Sequence, residues 1–583
     1  MFRRIASGRG VASAARSAVR CVLALSAIGT RSLAQAAQSG HQRPVMHGAL
    51  GLALDRYLQR AALGGFSGAV LVEWHDTIVL HNAYGWLDAR RTRRPTLATG
   101  FAISSNTKMF SGALTAVLAS RGRLRFADSI GRFLPDIPAD KRGITIHHLL
   151  THSSGLGDTY AAESIGTAEG VRRILATPLQ HQIGAQWDYS NDGFHLLEAI
   201  LEAAGGKPID ALRRQLLFAP AGMCWTGTNR SGVRWPTIAR GQNLLSGVAR
   251  EQSASATFAP GRAGLRSTAA DLQRWSRAWR SNIVLPSAYR DTVARGWIRV
   301  RDGVDQAYGA FSLITTLGNA LRMGGNDTPA GNTSEYRLYT DANGLLVILN
   351  NSMWDATPFI RRVRDGIEAI LRGVAPPPTP DIHHIGENDG RGVAGTYRAT
   401  RGAAMVVWKH GDDFLVGAEG QLAIDALFPP DSLQDASRRA AYTTTTASLL
   451  DRALRGPSDP LLDTAIGAAR RKIGDVIAWD TLGTAPTPPD DDATGTTYVR
   501  LRGKAGSATI RVVWSDSTIA FVLAGTPRPF LPLVKKVDGA YIGYDFLGGR
   551  ETALTFMRTT PAAPVRILRV GDAQTGASFV RVP

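Results

Sequence analysis

Phe101-Ala-Ile-Ser-Ser-Asn-Thr-Lys108 runs directly into Met109, Phe110, Leu114, Val117 and Leu118, apolar residues at helical intervals. A helix opening in this stretch stacks Ser105 and Lys108, three positions apart, on one face, with the hydroxyl at the positive N-terminal end. A Ser hydroxyl is a poor nucleophile until a neighbour takes its proton, and a Lys in a desolvated cleft can take it or set the field for another base. Alone the pair says little, because 35 Ser and 8 Lys in 583 residues supply about half a Ser-x-x-Lys by chance. The bland alternative is a Ser that caps a helix beside a solvated Lys.

The flanks supply the frame. Leu50, Leu54, Tyr57, Leu58 and Ala61 predict a helix, followed by a hairpin of residues 69–74 and 77–83 around His75-Asp76. Residues 307–316, 320–325, 334–340 and 345–350 read as an antiparallel series, the last two joined by Asp341-Ala-Asn-Gly344, and a helix with Phe359, Ile360, Val363, Ile367, Ile370 and Leu371 on one face follows. Strands at both ends and helices between them predict one α/β (α+β) domain over residues 46–372, an antiparallel sheet flanked by helices. Pro376-Pro-Pro-Thr-Pro380 marks 373–392 as a linker. Beyond it, residues 394–399, 404–410, 414–418, 498–502, 509–514, 518–524, 552–557 and 565–570 read as short strands, interrupted by a helical stretch at 449–473 that breaks at Gly456-Pro457. Residues 393–583 are therefore expected to be mostly β, a small barrel or sandwich, with a division into two sub-domains at the Pro/Asp-rich stretch 484–496.

The formal charge of +19 invites a nucleic-acid reading. Against it, 59 Arg and 8 Lys are scattered with no basic run of five, whereas a phosphate-tracking surface gathers them on one face. Part of the charge sits in residues 1–36, which hold six Arg and no acid, then the apolar run 21–28 and Ala34-Gln35-Ala36. This is the pattern of an export signal cleaved near Ala36 and implies a periplasmic or secreted protein; a disordered tail is the other reading. Removing it leaves 61 basic against 48 acidic residues. No other stretch is long and apolar enough to span a bilayer. Cys21 lies in the signal, so Cys224 has no internal partner and, beside Trp225, is expected to be packed. His147, His148 and His152 suggest a metal, but Leu149 stands where a zinc-protease helix would carry its Glu, so structural histidines are expected and no metal. His383-His384 falls in the linker and is expected to be solvated.

The company kept by Ser105 and Lys108 makes the pair specific. Ile144-Thr-Ile-His-His-Leu-Leu-Thr-His-Ser-Ser-Gly-Leu156, Tyr189-Ser190-Asn191 about 85 residues after the Ser, Leu217-Phe-Ala-Pro-Ala-Gly-Met223 and Gly264-Leu-Arg-Ser-Thr-Ala-Ala-Asp271 together resemble the serine β-lactamase-like superfamily, in its class C β-lactamase, D,D-peptidase and esterase branch. The resemblance covers residues 50–372. It implies that Ser105 is acylated, that Lys108 assists its deprotonation, that Tyr189 is general base and then general acid, and that Asn191 binds substrate and orients Lys108. It places the oxyanion hole at the backbone N–H groups of Ser105 and Gly325. Independently of family, Thr268 and Asp271 read as a capping box.

The family's third motif, Lys-Thr-Gly or His-x-Gly, is altered. The preferred register sets Arg322-Met323-Gly324 there, with Arg322 as a fixed cation able to grip a substrate carboxylate. The alternative register puts Met323 in the cationic position. Nearby positive charge matters because a Tyr at its reference pKa of about 10 is a sluggish base.

These readings predict an exported serine hydrolase that cleaves an amide or ester of a small-molecule or peptide substrate through a Ser105 acyl-enzyme, without metal or cofactor. The β-rich extension resembles the appended barrels of D-aminopeptidase-type relatives, which ranks peptidase or esterase above true class C β-lactamase. The further alternative is a penicillin-binding sensor that binds cell-wall ligands without turnover. Oligomeric state is not legible.

Overall fold

His75 (φ 49°) and Asp76 (φ 61°) both occupy the left-handed region, the backbone a two-residue hairpin of the correct twist requires. The strands they join begin the central sheet. The structure, a computed structural model, describes residues 43–582 apart from residues 89–91, 158–166, 242–262, 328–331, 352–355, 378–380, 400–401, 411–412, 457–458, 487–492, 525–527, 547–549, 561–562 and 573–575. The expected export signal, 1–36, lies outside the described residues.

In chain order the first strands are β1 (Val45–Met46), β2 (Gly68–Trp74), β3 (Thr77–Tyr84), β4 (Thr99–Ala102), β5 (Thr237–Ile238) and β6 (Arg266–Ser267). They are followed by β7 (Ile298–Arg301), β8 (Val304–Ala307), β9 (Ala310–Thr315), β10 (Gly318–Asp327), β11 (Asn332–Tyr339) and β12 (Gly344–Asn350). The central sheet has nine strands in the order β1-β3-β2-β12-β11-β10-β9-β8-β7, and its named neighbours pair antiparallel. β12 next to β2 means that the two ends of this region close the sheet between them, as the sequence predicts. β4, β5 and β6 form a small separate sheet.

Strand alternation sorts the sheet's side chains into two cores. Val70, Val72, Leu346 and Ile348 pack with Leu54, Tyr57, Leu58 and Ala61 of helix α1 (Gly48–Leu63) and with Ile360, Val363 and Ile367 of a second helix, Ala356–Leu371. Ala69, Leu71, Val347, Leu349, Tyr336 and Leu338 pack on the other face against Phe110, Leu114 and Val117 of helix α2 (Thr107–Ser120) and Phe194, Leu197 and Leu201 of helix α3 (Asn191–Gly205). Helix α4 (Ala269–Arg280) adds Leu272 and Trp275 to this second core. The C-terminal helix Ala356–Leu371 is α5. Each fully buried Leu, Val or Phe contributes about 2 kcal/mol, so the alternation dictates which face meets which helices.

Beyond α5 the chain forms β13 (Ile382–His384), β14 (Gly395–Arg398), β15 (Ala404–His410) and β16 (Asp413–Glu419). It then builds helices α6 (Leu433–Arg455) and α7 (Pro460–Ile473) and strands β17 (Val476–Ala485), β18 (Gly495–Gly503), β19 (Gly506–Ser515) and β20 (Thr518–Ala524). It ends with β21 (Phe530–Lys536), β22 (Tyr541–Asp545), β23 (Arg550–Met557), β24 (Ile567–Val570) and β25 (Ala577–Arg581). β14, β15, β16 and β21 to β25 close into an eight-stranded barrel, because β21 pairs with β16 along one edge and β22 along the other. The fold is thus an α/β region with an antiparallel sheet plus a β-barrel extension.

Three details correct the sequence reading. Residues 484–496 do not divide two sub-domains: β17 and β18 pair across them as one hairpin of the four-stranded sheet β17-β18-β19-β20. That sheet packs on α6 and α7 through Leu450, Ile466, Val499, Val512 and Trp514, and the whole unit is inserted between barrel strands β16 and β21. The stretch 373–392, compositionally a linker, contributes β13, which continues the edge of β21 where β16 leaves it. His384 is accordingly held, 3.1 Å from Asp413, rather than solvated.

The barrel sits behind the sheet. Ile382, Val534, Ile542, Tyr544 and Phe546 join the core of α1 and α5, and Arg60 pairs with Asp381 at 2.5 Å.

Candidate active site

Ser105 is the middle residue of a 3-10 turn, Ser104–Asn106, that feeds directly into α2. The turn is strained and pinned. Ser104 has φ 47°, a region that costs a non-glycine residue on the order of 1 kcal/mol. Three bonds hold it: Asn106 Nδ2 donates to Ser334 Oγ (2.7 Å), Ser334 Oγ donates to the Ile103 carbonyl (2.8 Å), and Ile103 N–H donates to the Leu265 carbonyl (3.0 Å). β10 crosses so close that a Cβ on Gly325 would lie 2.1 Å from the Ile103 oxygen, which only glycine avoids.

One helical turn on, Lys108 is fully buried. A buried ammonium must be matched by acceptors, and here it donates to Ser105 Oγ (3.3 Å) and Asn191 Oδ1 (2.7 Å). Tyr189 Oη donates to the same Ser105 Oγ at 3.0 Å, and Lys108 Nζ lies 4.9 Å from the centre of the Tyr189 ring. Ser105, Lys108, Tyr189 and Asn191, separated by up to 86 positions in the chain, are brought together as the sequence predicts. The arrangement sets Ser105 Oγ between the Tyr189 hydroxyl and the buried Lys108 ammonium, in reach of proton exchange with Tyr189.

His152 is the residue the sequence reading placed too far from the chemistry. It has φ 54°, its ring stacks on Tyr189 at 4.4 Å between centroids, and its Nδ1 accepts the Ser190 N–H at 3.0 Å. Burial, assisted by the charge of Lys108, holds its pKa well below 6.5, so it is a neutral plate beneath Tyr189. Ser190 completes the support as N-cap of α3, accepting the Gly193 N–H at 3.0 Å and donating to the Gly157 carbonyl at 3.0 Å. The available signal was position: His152 lies in the Thr151-His-Ser-Ser-Gly155 text quoted for the resemblance. The other two histidines are structural in placement, His147 on Tyr308 Oη (2.8 Å) and His148 in a capping box with Thr145.

The third motif needs correction. Arg322 does not face Ser105. Its guanidinium grips Glu335 through two bonds, 2.9 and 3.1 Å, on the side of the sheet that carries α1 and α5. Glu335 also meets Arg337 at 3.1 Å, and Arg337 meets Glu368 of α5 at 2.6 Å. Burial alone would raise the Glu335 pKa, but Arg322, Arg337 and Arg364 outweigh it and hold it at about 2. Gly324 shares that face, where a Cβ would come 2.7 Å from the Arg322 guanidinium. By alternation, Leu321, Met323 and Gly325 turn to the side of Ser105, so the register with Met323 in the cationic position is the one adopted.

The oxyanion assignment shifts with it. Thr340 N–H donates to the Asn319 carbonyl, which makes 319, 321, 323, 325 and 327 the positions bonded to β11. The Gly325 N–H is therefore spent in the ladder. Gly324 and Asn326 present their N–H groups to the opposite edge, where, among the described residues, pairing with β9 stops at Arg322.

Two smaller expectations also change. Thr268 caps α4 by accepting the Asp271 N–H (3.2 Å), but the Asp271 carboxylate turns instead to Trp225 N–H (2.6 Å) and Thr226 Oγ1 (2.9 Å), so half of the box is made. Cys224 is exposed, because the backbone of its neighbour Trp225 is held by Asp271 and the thiol is left outside.

The Beta-lactamase family model matches residues 54–353, just over half of the chain. Penicillin-binding protein PbpX of Bacillus subtilis (strain 168) is 26% identical over 181 residues, 31% of this chain and 46% of that protein. N-acetylmuramyl-L-alanine amidase of Bacillus subtilis (strain 168) is 30% identical over 313 residues, 42% of this chain and 70% of that protein. The chain thus spans less than half of the first relative's length. Among solved structures, the octameric penicillin-binding protein homologue from Pyrococcus abyssi is 16% identical with a TM-score of 0.49, over 91% of this chain and 99% of that one. On the family match and the 30%-identical relative, this chain belongs to the β-lactamase family of serine hydrolases.

Proposed function

We propose that the protein is an exported hydrolase that cleaves a small ester or amide through an acyl-enzyme on Ser105. The observation that carries this reading is the convergence of Lys108 Nζ (3.3 Å) and Tyr189 Oη (3.0 Å) on Ser105 Oγ. In the proposed course, Tyr189 acts as its phenolate beside the Lys108 ammonium and takes the Ser105 proton, becoming a neutral phenol, as Oγ attacks the carbonyl carbon. The carbonyl oxygen becomes an anion received by backbone N–H groups, those of Ser105 and Asn326. Tyr189 returns the proton to the departing alkoxide or amine, and water, activated by the same Tyr189, releases the acid and restores Ser105. Asn191 holds Lys108 in place throughout, and His152 holds the ring of Tyr189.

The relatives carry names of penicillin-binding and amidase type, which supports acyl transfer on cell-wall-like amides or on esters. The barrel behind the sheet supports peptidase or esterase over a bare β-lactamase. The basic start and apolar run of residues 1–36 support export, with cleavage near Ala36. The test is covalent labelling by a fluorophosphonate or penicillin probe: modification at Ser105 that disappears in Ser105→Ala supports the reading, and labelling that persists at another residue refutes it. N-terminal sequencing of the mature protein from its host tests export.

A further inference from the structure

Among the described residues, the end of β10 carries no strand on its β9 side, next to the turn that holds Ser105. Its pairing with β9 ends at Arg322, while its pairing with β11 runs on to Asp327, and a Cβ on Gly325 would touch the Ile103 oxygen just before Ser105. With Ser105 acylated as proposed above, the substrate would be set against this edge, at positions 323–326. The character of the side chain that β10 turns to this side therefore weighs on what can bind.

That side chain is a thioether. Met323, 2% exposed, stands where the altered motif would otherwise place a cation. The strand's own cation is committed elsewhere: Arg322 is locked bidentate on Glu335 across the sheet, and Glu335 is one member of a buried network with Arg337 and Glu368. Turning Arg322 around would cost Glu335 both bonds to that guanidinium, so while the pair holds the strand does not offer this cation to a ligand. A carboxylate brought to this side of β10 loses water and gains no ion pair from the strand, because the side chain beneath it is an uncharged thioether, whereas an apolar or uncharged polar group loses little.

We propose that Met323 makes this site selective for uncharged esters or amides, and sets it against substrates that carry a free carboxylate next to the scissile bond. The inference rests on Ser105 being the acylated residue, as proposed above. It deepens that reading by naming a substrate class.

The test uses the full-length protein and two matched pairs of esters. p-Nitrophenyl butyrate against p-nitrophenyl hemisuccinate places a carboxylate in the acyl group; phenyl acetate against 3-acetoxybenzoate places it in the leaving group. The expected wild-type kcat/KM favours the neutral member of both pairs by about tenfold or more. In Met323→Lys that preference falls by about tenfold or more in at least one pair. A smaller wild-type preference in both pairs overturns the proposal without recourse to any variant. So does a Met323→Lys protein that labels at Ser105 with a fluorophosphonate yet shifts neither ratio to that extent. If the wild-type protein turns over no ester and is not labelled at Ser105, the reading of Ser105 itself fails, which is a separate outcome from labelled, active protein blind to charge.

Discussion

The two faces of β10 put neighbouring residues of one strand to opposite uses. Toward α2, Met323 and Gly325 lie by the turn that carries Ser105, with Lys108 and Tyr189 converging on its hydroxyl. Toward α5, Arg322 and Gly324 meet Glu335, Arg337 and Glu368 in a buried ion network. A shift of one residue exchanges chemistry for structure, because side chains on a strand alternate with period two. A charge next to a catalytic motif is thus no guide to which face it serves.

The comparison can be broken first on the front face. Ser105→Ala should lower turnover on the order of 10³-fold or more, with a cost in stability of about 1–2 kcal/mol because the buried Lys108 loses one of its acceptors. Tyr189→Phe should cost about 10²–10⁴-fold in kcat, with the stacked pair with His152 preserved, as read by steady-state kinetics on a neutral ester. A burst followed by silence in the wild type would instead mark a protein that is acylated without turnover.

On the back face the effect should move from activity to stability. Glu335→Ala takes the shared carboxylate from Arg322, which is half-buried, and from Arg337, which keeps Glu368, and should destabilise by about 3 kcal/mol or less in chemical denaturation. The activity of the molecules that remain folded should stay within a few-fold of wild type. If Glu335→Ala instead abolishes turnover with stability intact, the division between the faces is wrong.

The same carboxylate gives a pH test. Its ordinary pKa of 4.5 is lowered to about 2 in the folded protein. The depressed value means that its contribution is fully present above pH 4.5 and is lost as pH falls toward about 2. Wild type should lose stability across that window more steeply than Glu335→Gln. The smallest effect is expected at the barrel contact: Arg60→Ala, which removes an exposed partner of Asp381, should cost about 1 kcal/mol or less.

Much of the site was legible because its signals are local. Ser105 and Lys108 share a helical face by spacing, while Tyr189 and Asn191 were legible through the short motifs that carry the family resemblance. The central sheet was legible from alternation and from turns such as His75-Asp76. His152 was underestimated because stacking on Tyr189 is a contact across 37 positions that no periodicity encodes. The barrel's closure and the insertion of β17 to β20 into it were missed for a related reason. Strand pairing partners far apart in sequence, such as β16 with β21, are chosen by the core they enclose and not by local pattern.

By itself, then, the sequence determined the order of helices and strands and a β-rich C-terminal region, since propensity, spacing and turn chemistry act over a few residues, and its motifs, through the family they resemble, singled out Ser105, Lys108 and Tyr189 as candidates. Only the tertiary structure decided that Arg322 belongs to the back of the sheet and Met323 to the front. That choice depends on which hydrogen-bond parity β10 takes against β11, and in the parity adopted Arg322 meets the buried Glu335, thirteen positions away.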